Sequence, residues 1–122
     1  MPHIVMEYST GLQRKTAIGE LLSEVHATVR NAGIFAPEAI KSRAVAFDEY
    51  VIGDNGSEGD FVHVTLAIFN GRSPEQRQNL SKAILAVLGR KLPEAASLTV
   101  EVREIEKESY AKYGGRPQEG KA

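Results

Sequence analysis

The sequence predicts an α+β domain: two β-α-β units joined edge to edge in a four-stranded mixed sheet, with both helices on one face. Three observations carry that reading. Residues 2–9 and 61–69 alternate apolar with polar side chains at a period of two, the pattern of a half-buried strand. Each alternating run is followed by apolar residues at helical spacing, which form one stripe. The pattern also recurs along the chain. Ile4, Met6 and Tyr8 correspond to Val64, Leu66 and Ile68 at a shift of 60, and Gly11 corresponds to Gly71 at the same shift. Ile18, Leu22 and Val25 correspond to Leu80, Ile84 and Val87 at a shift of 62.

The elements follow in order. The first strand places Pro2, Ile4, Met6 and Tyr8 on one face and His3, Val5, Glu7 and Ser9 on the other. Thr10-Gly11 reads as a turn. Ile18, Leu21, Leu22, Val25 and Val29 form the stripe of the first helix, and Gly33 is its expected stop. A loop through "IFAPEAIKS" leads to a second strand expected over "RAVAFDEYVI", residues 43–52. "GDNGSEGD" (53–60) is rich in turn formers.

The third strand, "FVHVTLAIF" (61–69), carries Val62, Val64, Leu66 and Ile68 on its apolar face. Asn70-Gly71 turns the chain. Ser73-Pro74-Glu75-Gln76 has the form of a capping box, with proline at the first helical position. Leu80, Ile84, Val87 and Leu88 are the buried stripe of the second helix, which Pro93 ends or closely follows. The fourth strand is "SLTVEVREI" (97–105), with Leu98, Val100 and Val102 on one face. Residues 1–105 form a single domain, and residues 106–122 read as a loose polar tail bearing Gly114-Gly115. Tyr110 and Tyr113 are candidates to pin that tail to another surface, including that of a neighbouring subunit.

Each β-α-β unit makes two parallel strands with a right-handed crossover. A pseudo-two-fold duplication makes the two units meet antiparallel through their first strands. The sheet face away from the helices then carries His3, Val5, Glu7, His63, Thr65, Ala67, Thr99, Glu101 and Arg103. That mixture suits a polar subunit interface in a symmetric oligomer.

Composition narrows the function. The chain has 122 residues, 42% hydrophobic and 25% charged, with a net charge of −1. Such a balance builds a packed core and offers no global field for nucleic acid or an anionic membrane. The sheet face also lacks the aromatic pair that would stack bases. There is no cysteine, so disulfides, thiolate zinc sites and thiol nucleophiles are excluded. The three histidines show no ligand spacing with carboxylates, so no metal site is expected. No apolar run approaches the ~20 residues of a membrane span, and the N-terminus lacks a signal-peptide pattern, so a cytoplasmic location is expected.

The chemistry points to the chain start. Antiparallel first strands bring the beginning of strand one beside the end of strand three, hence Pro2 near Phe69, Asn70, Gly71 and Arg72. Arg72 also precedes the N-terminus of the second helix, whose free N–H groups favour an anion. An amine and a guanidinium can thus face one small site, provided that Met1 is removed. With Met1 in place the nitrogen of Pro2 is a tertiary amide with no basicity. Ordinary packing roles compete for the other candidates. His63 sits mid-strand as a packing or interface residue, His3 and His26 read as structural or exposed, and Ser73 has no histidine partner.

These features resemble the tautomerase superfamily, whose members use an amino-terminal proline as catalyst. The resemblance is strongest to 5-carboxymethyl-2-hydroxymuconate isomerases. It rests on "MPHIV" at the start, "GIF" (33–35) followed by "IKSR" (40–43), "FVHVTL" (61–66) and "GRSPEQRQ" (71–78), and covers residues 2–105 in order and length. It implies a cofactor-free ketonisation of an unsaturated 2-hydroxy acid, a 1,3-proton shift extended through conjugation. The implied substrate is 5-carboxymethyl-2-hydroxymuconate, in homoprotocatechuate degradation. Pro2 is then the general base and Arg72 the second catalytic residue, binding a carboxylate and stabilising charge on the reacting oxygen. Lys41 stands where the family has arginine, and Arg43 lies two residues on; both are candidate substrate cations, with Phe69 as an apolar wall. The resemblance also implies a homotrimer with sheets inside and helices outside. Two alternatives follow from the same residues: other proline-based chemistry on this scaffold (hydration, decarboxylation or dehalogenation), and a non-catalytic ferredoxin-like ligand-binding or assembly module.

Overall fold

The computed structural model describes residues 1–113. Its strands are β1 (His3–Ser9), β2 (Lys41–Phe47), β3 (Phe61–Phe69) and β4 (Ser97–Ile105), and its helices are α1 (Ile18–Asn31) and α2 (Pro74–Lys91). The sheet order is β2-β1-β3-β4. β1 and β3 pair antiparallel at the centre, and each outer pair is parallel. The pseudo-two-fold arrangement expected of a duplicated unit is therefore present.

Burial follows the sequence periodicity. Ile4, Met6 and Tyr8 of β1 and Val62, Val64, Leu66 and Ile68 of β3 are buried against Leu21, Val25 and Val29 of α1 and Leu80, Ile84, Val87 and Leu88 of α2. Leu98, Val100 and Val102 of β4 pack at the margin of this core. Fully burying one such side chain is worth about 1.5–3 kcal/mol, so this shared layer dominates the fold's stability. α2 starts with a complete capping box: Gln76 N–H donates to Ser73 Oγ, and Ser73 N–H donates to Gln76 Oε1. α1 has no side-chain cap and stops at Gly33, which takes φ +77. That left-handed conformation is strained for a residue with a Cβ.

The turn read at Thr10-Gly11 is a 3-10 turn over Thr10–Arg14, in which Leu12 inserts into the core. Two expectations are corrected. β2 begins at Lys41 and ends at Phe47, two residues earlier and five residues earlier than expected. β1 sets those limits, because its seven residues pair one to one with Lys41 through Phe47. The Thr10 hydroxyl closes the far end at the Phe47 carbonyl (3.0 Å) and the Asp48 carboxylate (2.6 Å). Lys41 and Ser42 thus belong to the sheet, and 48–52 leave it. Finally, the chain after β4 is not loose throughout. It makes a 3-10 turn over Lys107–Ser109, and Tyr110 docks on its own chain while Tyr113 is wholly exposed. The loose tail expected at Gly114-Gly115 and beyond lies outside the described residues.

The sheet face opposite the helices is half-exposed and polar. His63 bridges Thr99 and Glu101, and Arg103 pairs with Glu101. Among the described residues no helix is long and apolar enough to cross a membrane.

Candidate active site

The antiparallel centre of the sheet sets the start of β1 beside the end of β3, and the chain turns there to enter α2. Gly71 makes that turn at φ +120, a conformation open to glycine, and leaves Arg72 just before the Ser73 cap. On the other side, the segment from Gly33 to Ile40 wraps back over the chain start. It supplies the Ile34 carbonyl, the Phe35 ring and, through the 3-10 turn Pro37–Ala39, the Ala39 carbonyl.

The cavity between these walls has a volume of about 320 Å³. It is lined by Met1, Phe35, Phe69, Gly71, Arg72 and Gln76, with Asn70 at the turn. Pro2, bonded to Met1, is buried beside it, and its carbonyl accepts a 3.0 Å hydrogen bond from the Lys41 N–H. One Arg72 nitrogen donates to the Ile34 carbonyl at 2.7 Å. The guanidinium carbon lies 5.1 Å from the centre of the Phe35 ring. These contacts hold the guanidinium plane and leave further donors of its fork for a ligand.

The Met1 ammonium donates to the Ala39 carbonyl at 3.4 Å, and Lys41 Nζ donates to the same oxygen at 3.2 Å. Burial pushes the Met1 amine below its ordinary value, and the charges of Lys41 and Lys112 push it further the same way. An amine at the head of β1 therefore loses its proton more readily than one in water. Among the described residues, no carboxylate lies within 4.0 Å of Lys41, Arg43 or Arg72. Among the described residues the site is cationic with no counter-charge in place. A larger cavity of about 470 Å³ lies between α1 and α2, but no ionisable side chain lines it.

Of the residues singled out in the sequence, Pro2, Phe69 and Arg72 come together here, with Lys41 beside the chain start. Arg43 does not join them. It lies opposite Val5 on the open sheet face and donates to His3 Nδ1 at 3.1 Å. Sequence reasoning did not single out Phe35, although the "GIF" motif contained it. It also missed Gln76, noted only as a cap. It named Tyr110 only as a pin for the tail and did not assign it to the wall beyond β4, where Tyr110 packs edge-on to Phe69 with ring centres 5.2 Å apart and Lys107 Nζ lies 5.8 Å from the Phe69 ring centre. The available signal was the placing of Tyr110 between Lys107 and Lys112 in an otherwise featureless tail. No group of three or more His, Asp or Glu arranged to hold a metal occurs among the described residues.

Comparison with known proteins places the chain and its fold. The 5-carboxymethyl-2-hydroxymuconate isomerase family matches residues 2–115. A 5-carboxymethyl-2-hydroxymuconate Δ-isomerase of Escherichia coli is 31% identical over 88 residues, which span 72% of this chain and 70% of that protein. The crystal structure of a 5-carboxymethyl-2-hydroxymuconate isomerase from Deinococcus radiodurans R1 superposes with a TM-score of 0.82 at 28% identity, covering 93% of this chain and 90% of that one. A fused 4-OT solved as a symmetric trimer shares the fold, with a TM-score of 0.76 at 16% identity over 93% of this chain and 94% of that one.

Proposed function

Because the chain belongs to the 5-carboxymethyl-2-hydroxymuconate isomerase family of the tautomerase superfamily, and is thus an isomerase of an unsaturated hydroxy acid, we propose that it ketonises 5-carboxymethyl-2-hydroxymuconate with Pro2 as base. Removal of Met1 turns the Pro2 nitrogen from an amide into a secondary amine. An α-amino group ordinarily titrates at about 7.7–8.0. The burial and cationic neighbours that lower the Met1 amine would act in the same direction on a Pro2 amine, the direction that favours the neutral form a general base needs.

Pro2 removes the proton from the 2-hydroxyl. The electron pair passes through the conjugated diene, and the prolinium returns a proton to carbon at the far end. One O–H bond breaks, one C–H bond forms, and no redox partner is needed. Arg72 receives a carboxylate and stabilises the charge that develops on oxygen. Lys41 receives a second carboxylate as a point charge, and Phe35 and Phe69 keep the cleft dry. The observation that carries this reading is the meeting of the chain start with Arg72 in one cavity lined by no carboxylate of the described residues, with Lys41 beside the chain start on the shared Ala39 carbonyl.

The open sheet face is the surface that a homotrimer buries, in the cytoplasm. Its mixed composition and the symmetric-trimer assembly of a protein with the same fold support this.

The test is ultraviolet ketonisation of the dienol by protein whose intact mass shows Met1 absent. Turnover above buffer is expected, with about a 1,000-fold loss in Pro2→Ala. Equal turnover in wild type and Pro2→Ala overturns the role of proline. Turnover of some other unsaturated acid in place of the dienol overturns the substrate.

A further inference from the structure

The contacts at the end of β4 reach beyond the cleft just described. The Asn70 N–H donates to the Ile105 carbonyl at 3.1 Å, so the chain leaves the sheet beside the turn that carries Arg72. After the 3-10 turn, Tyr110 returns to the first residues of β1. Its hydroxyl lies 2.9 Å from His3 Nε2, and its ring meets the His3 ring edge-on at 5.9 Å and the Phe69 ring at 5.2 Å. Arg43 has only donors, so at its 3.1 Å contact His3 Nδ1 is the acceptor. Neutral His3 then carries its proton on Nε2 and donates it to Tyr110 Oη. The chain of contacts runs Arg43 to His3 to Tyr110 to Phe69, from the open sheet face to the wall of the cavity. The segment that it fastens is basic. Lys107 lies over Phe69, and Lys112 is close enough to the chain start for its charge to be felt there. Neither lysine has a carboxylate within 4.0 Å among the described residues.

We propose that Tyr110 is a positioning residue, clasped between His3 and Phe69, that holds Lys107 and Lys112 at the mouth of the cleft as the receiving wall for the substrate's outermost carboxylate. This rests on the function proposed above and names what selects a polycarboxylate within it. Arg72 and Lys41 account for two carboxylates; the basic wall receives the third, distant from the reacting oxygen. Its contribution is to binding rather than to proton transfer.

The experiment compares wild type, Tyr110→Phe, Tyr110→Ala and Lys112→Gln, each with Met1 removed. Tyr110→Ala is expected to raise KM for the tricarboxylate dienol about tenfold, the loss of a positioned ionic contact, with kcat changed by less than about twofold. KM for a dicarboxylate lacking the carboxymethyl arm stays within about twofold of wild type. Tyr110→Phe keeps the ring on Phe69 and restores part of the loss, and Lys112→Gln repeats the selective rise in KM. Limited trypsinolysis after Lys112 is expected to be several times faster in Tyr110→Ala, with no substrate involved. An equal KM rise for both substrates, or unchanged KM with unchanged cleavage, overturns the proposal. If wild type turns over neither dienol, the functional reading fails, and the cleavage rates alone decide whether Tyr110 docks the segment.

Discussion

The two ends of the central strand pair carry cavities of nearly equal size and opposite character. At one end, where β1 begins and β3 finishes, about 320 Å³ is bounded by Arg72 and the chain start. At the other, where β1 finishes and β3 begins, about 310 Å³ is bounded by Lys15, Asp60 and Lys91. Every cation named at the second end is neutralised. Lys15 Nζ lies 2.6 Å from Asp60, and Lys91 Nζ lies 2.8 Å from Glu24. Buried Asp60 also accepts from the Ser9 hydroxyl at 2.9 Å, and Ser9 Oγ in turn accepts from the Phe61 N–H. At the first end Arg72 and Lys41 are held by neutral carbonyls. Volume does not separate the proposed ligand site from a structural knot here; among the described residues, charge without an ionic partner does.

Substitutions at the two ends break this comparison in different observables. The largest effect belongs to Pro2→Ala, through turnover alone. Next is Arg72→Ala, for which kcat/KM on the carboxylated dienol is expected to fall about 100-fold with the melting temperature nearly unchanged. Arg72→Lys recovers only part of that, because a point charge cannot make the planar two-bond contact. Unchanged kcat/KM in Arg72→Ala places the anion site elsewhere.

At the closed end the sign of the experiment reverses. Asp60→Ala leaves the Ser9 hydroxyl and the Lys15 ammonium without their acceptor, and is expected to cost about 2 kcal/mol in urea unfolding while leaving kcat intact. Lys15→Gln costs less, below about 1 kcal/mol, because the Lys15 side chain is 65% exposed and its charge is screened. Burial acts to raise the Asp60 carboxyl, but the hydrogen bonds from Lys15 and Ser9 and the charges of Lys15 and Arg14 together hold it below its ordinary 3.8. Its contribution is complete above that pH and is lost as pH falls through the lowered value. A fall in kcat with Asp60→Ala, in protein that still melts cooperatively, would join the two ends functionally and end the contrast.

The same contrast explains what the sequence made legible. Periodicity reports burial, so β3, β4, the α2 cap and the paired faces of the core were readable, and the internal repeat gave the antiparallel centre and hence the neighbourhood of Pro2, Phe69 and Arg72. What escaped depends on contacts between segments far apart in the chain. Asp60 sits in a run of turn formers and reads as solvated, yet it is buried because Ser9 and Lys15 converge on it. Lys41 reads as loop, yet pairing with His3 makes it strand. Arg43 was indistinguishable from Lys41 as a site cation, and only the alternation of β2 and the His3 contact set it apart. Tyr110 is 107 residues from His3, and no local pattern announces their contact.

The smallest expected effect sharpens the comparison at the open end, where pH acts on a base rather than on an acid. Burial lowers the His3 imidazole below its ordinary 6.5, and the charges of Arg43, Lys41 and the chain amine lower it further. The groups facing His3 are thus two cations on β2, the amine and the Tyr110 hydroxyl; Ala67, opposite on β3, carries no charge. Above pH 6.5 the imidazole is neutral in both folded and unfolded chains, and the histidine adds no pH dependence. Below it the unfolded chain takes up its proton first, so the folded state loses stability as pH falls toward the lowered value. His3→Gln retains a donor for Tyr110 and has no proton to gain. In urea unfolding at pH 7.5 and pH 5.5, wild type is therefore expected to lose more stability over that interval than His3→Gln. The opposite ordering would mean that His3 is charged in the folded protein, in which case Arg43 could not donate to it and the contact chain to Tyr110 would have to be drawn the other way.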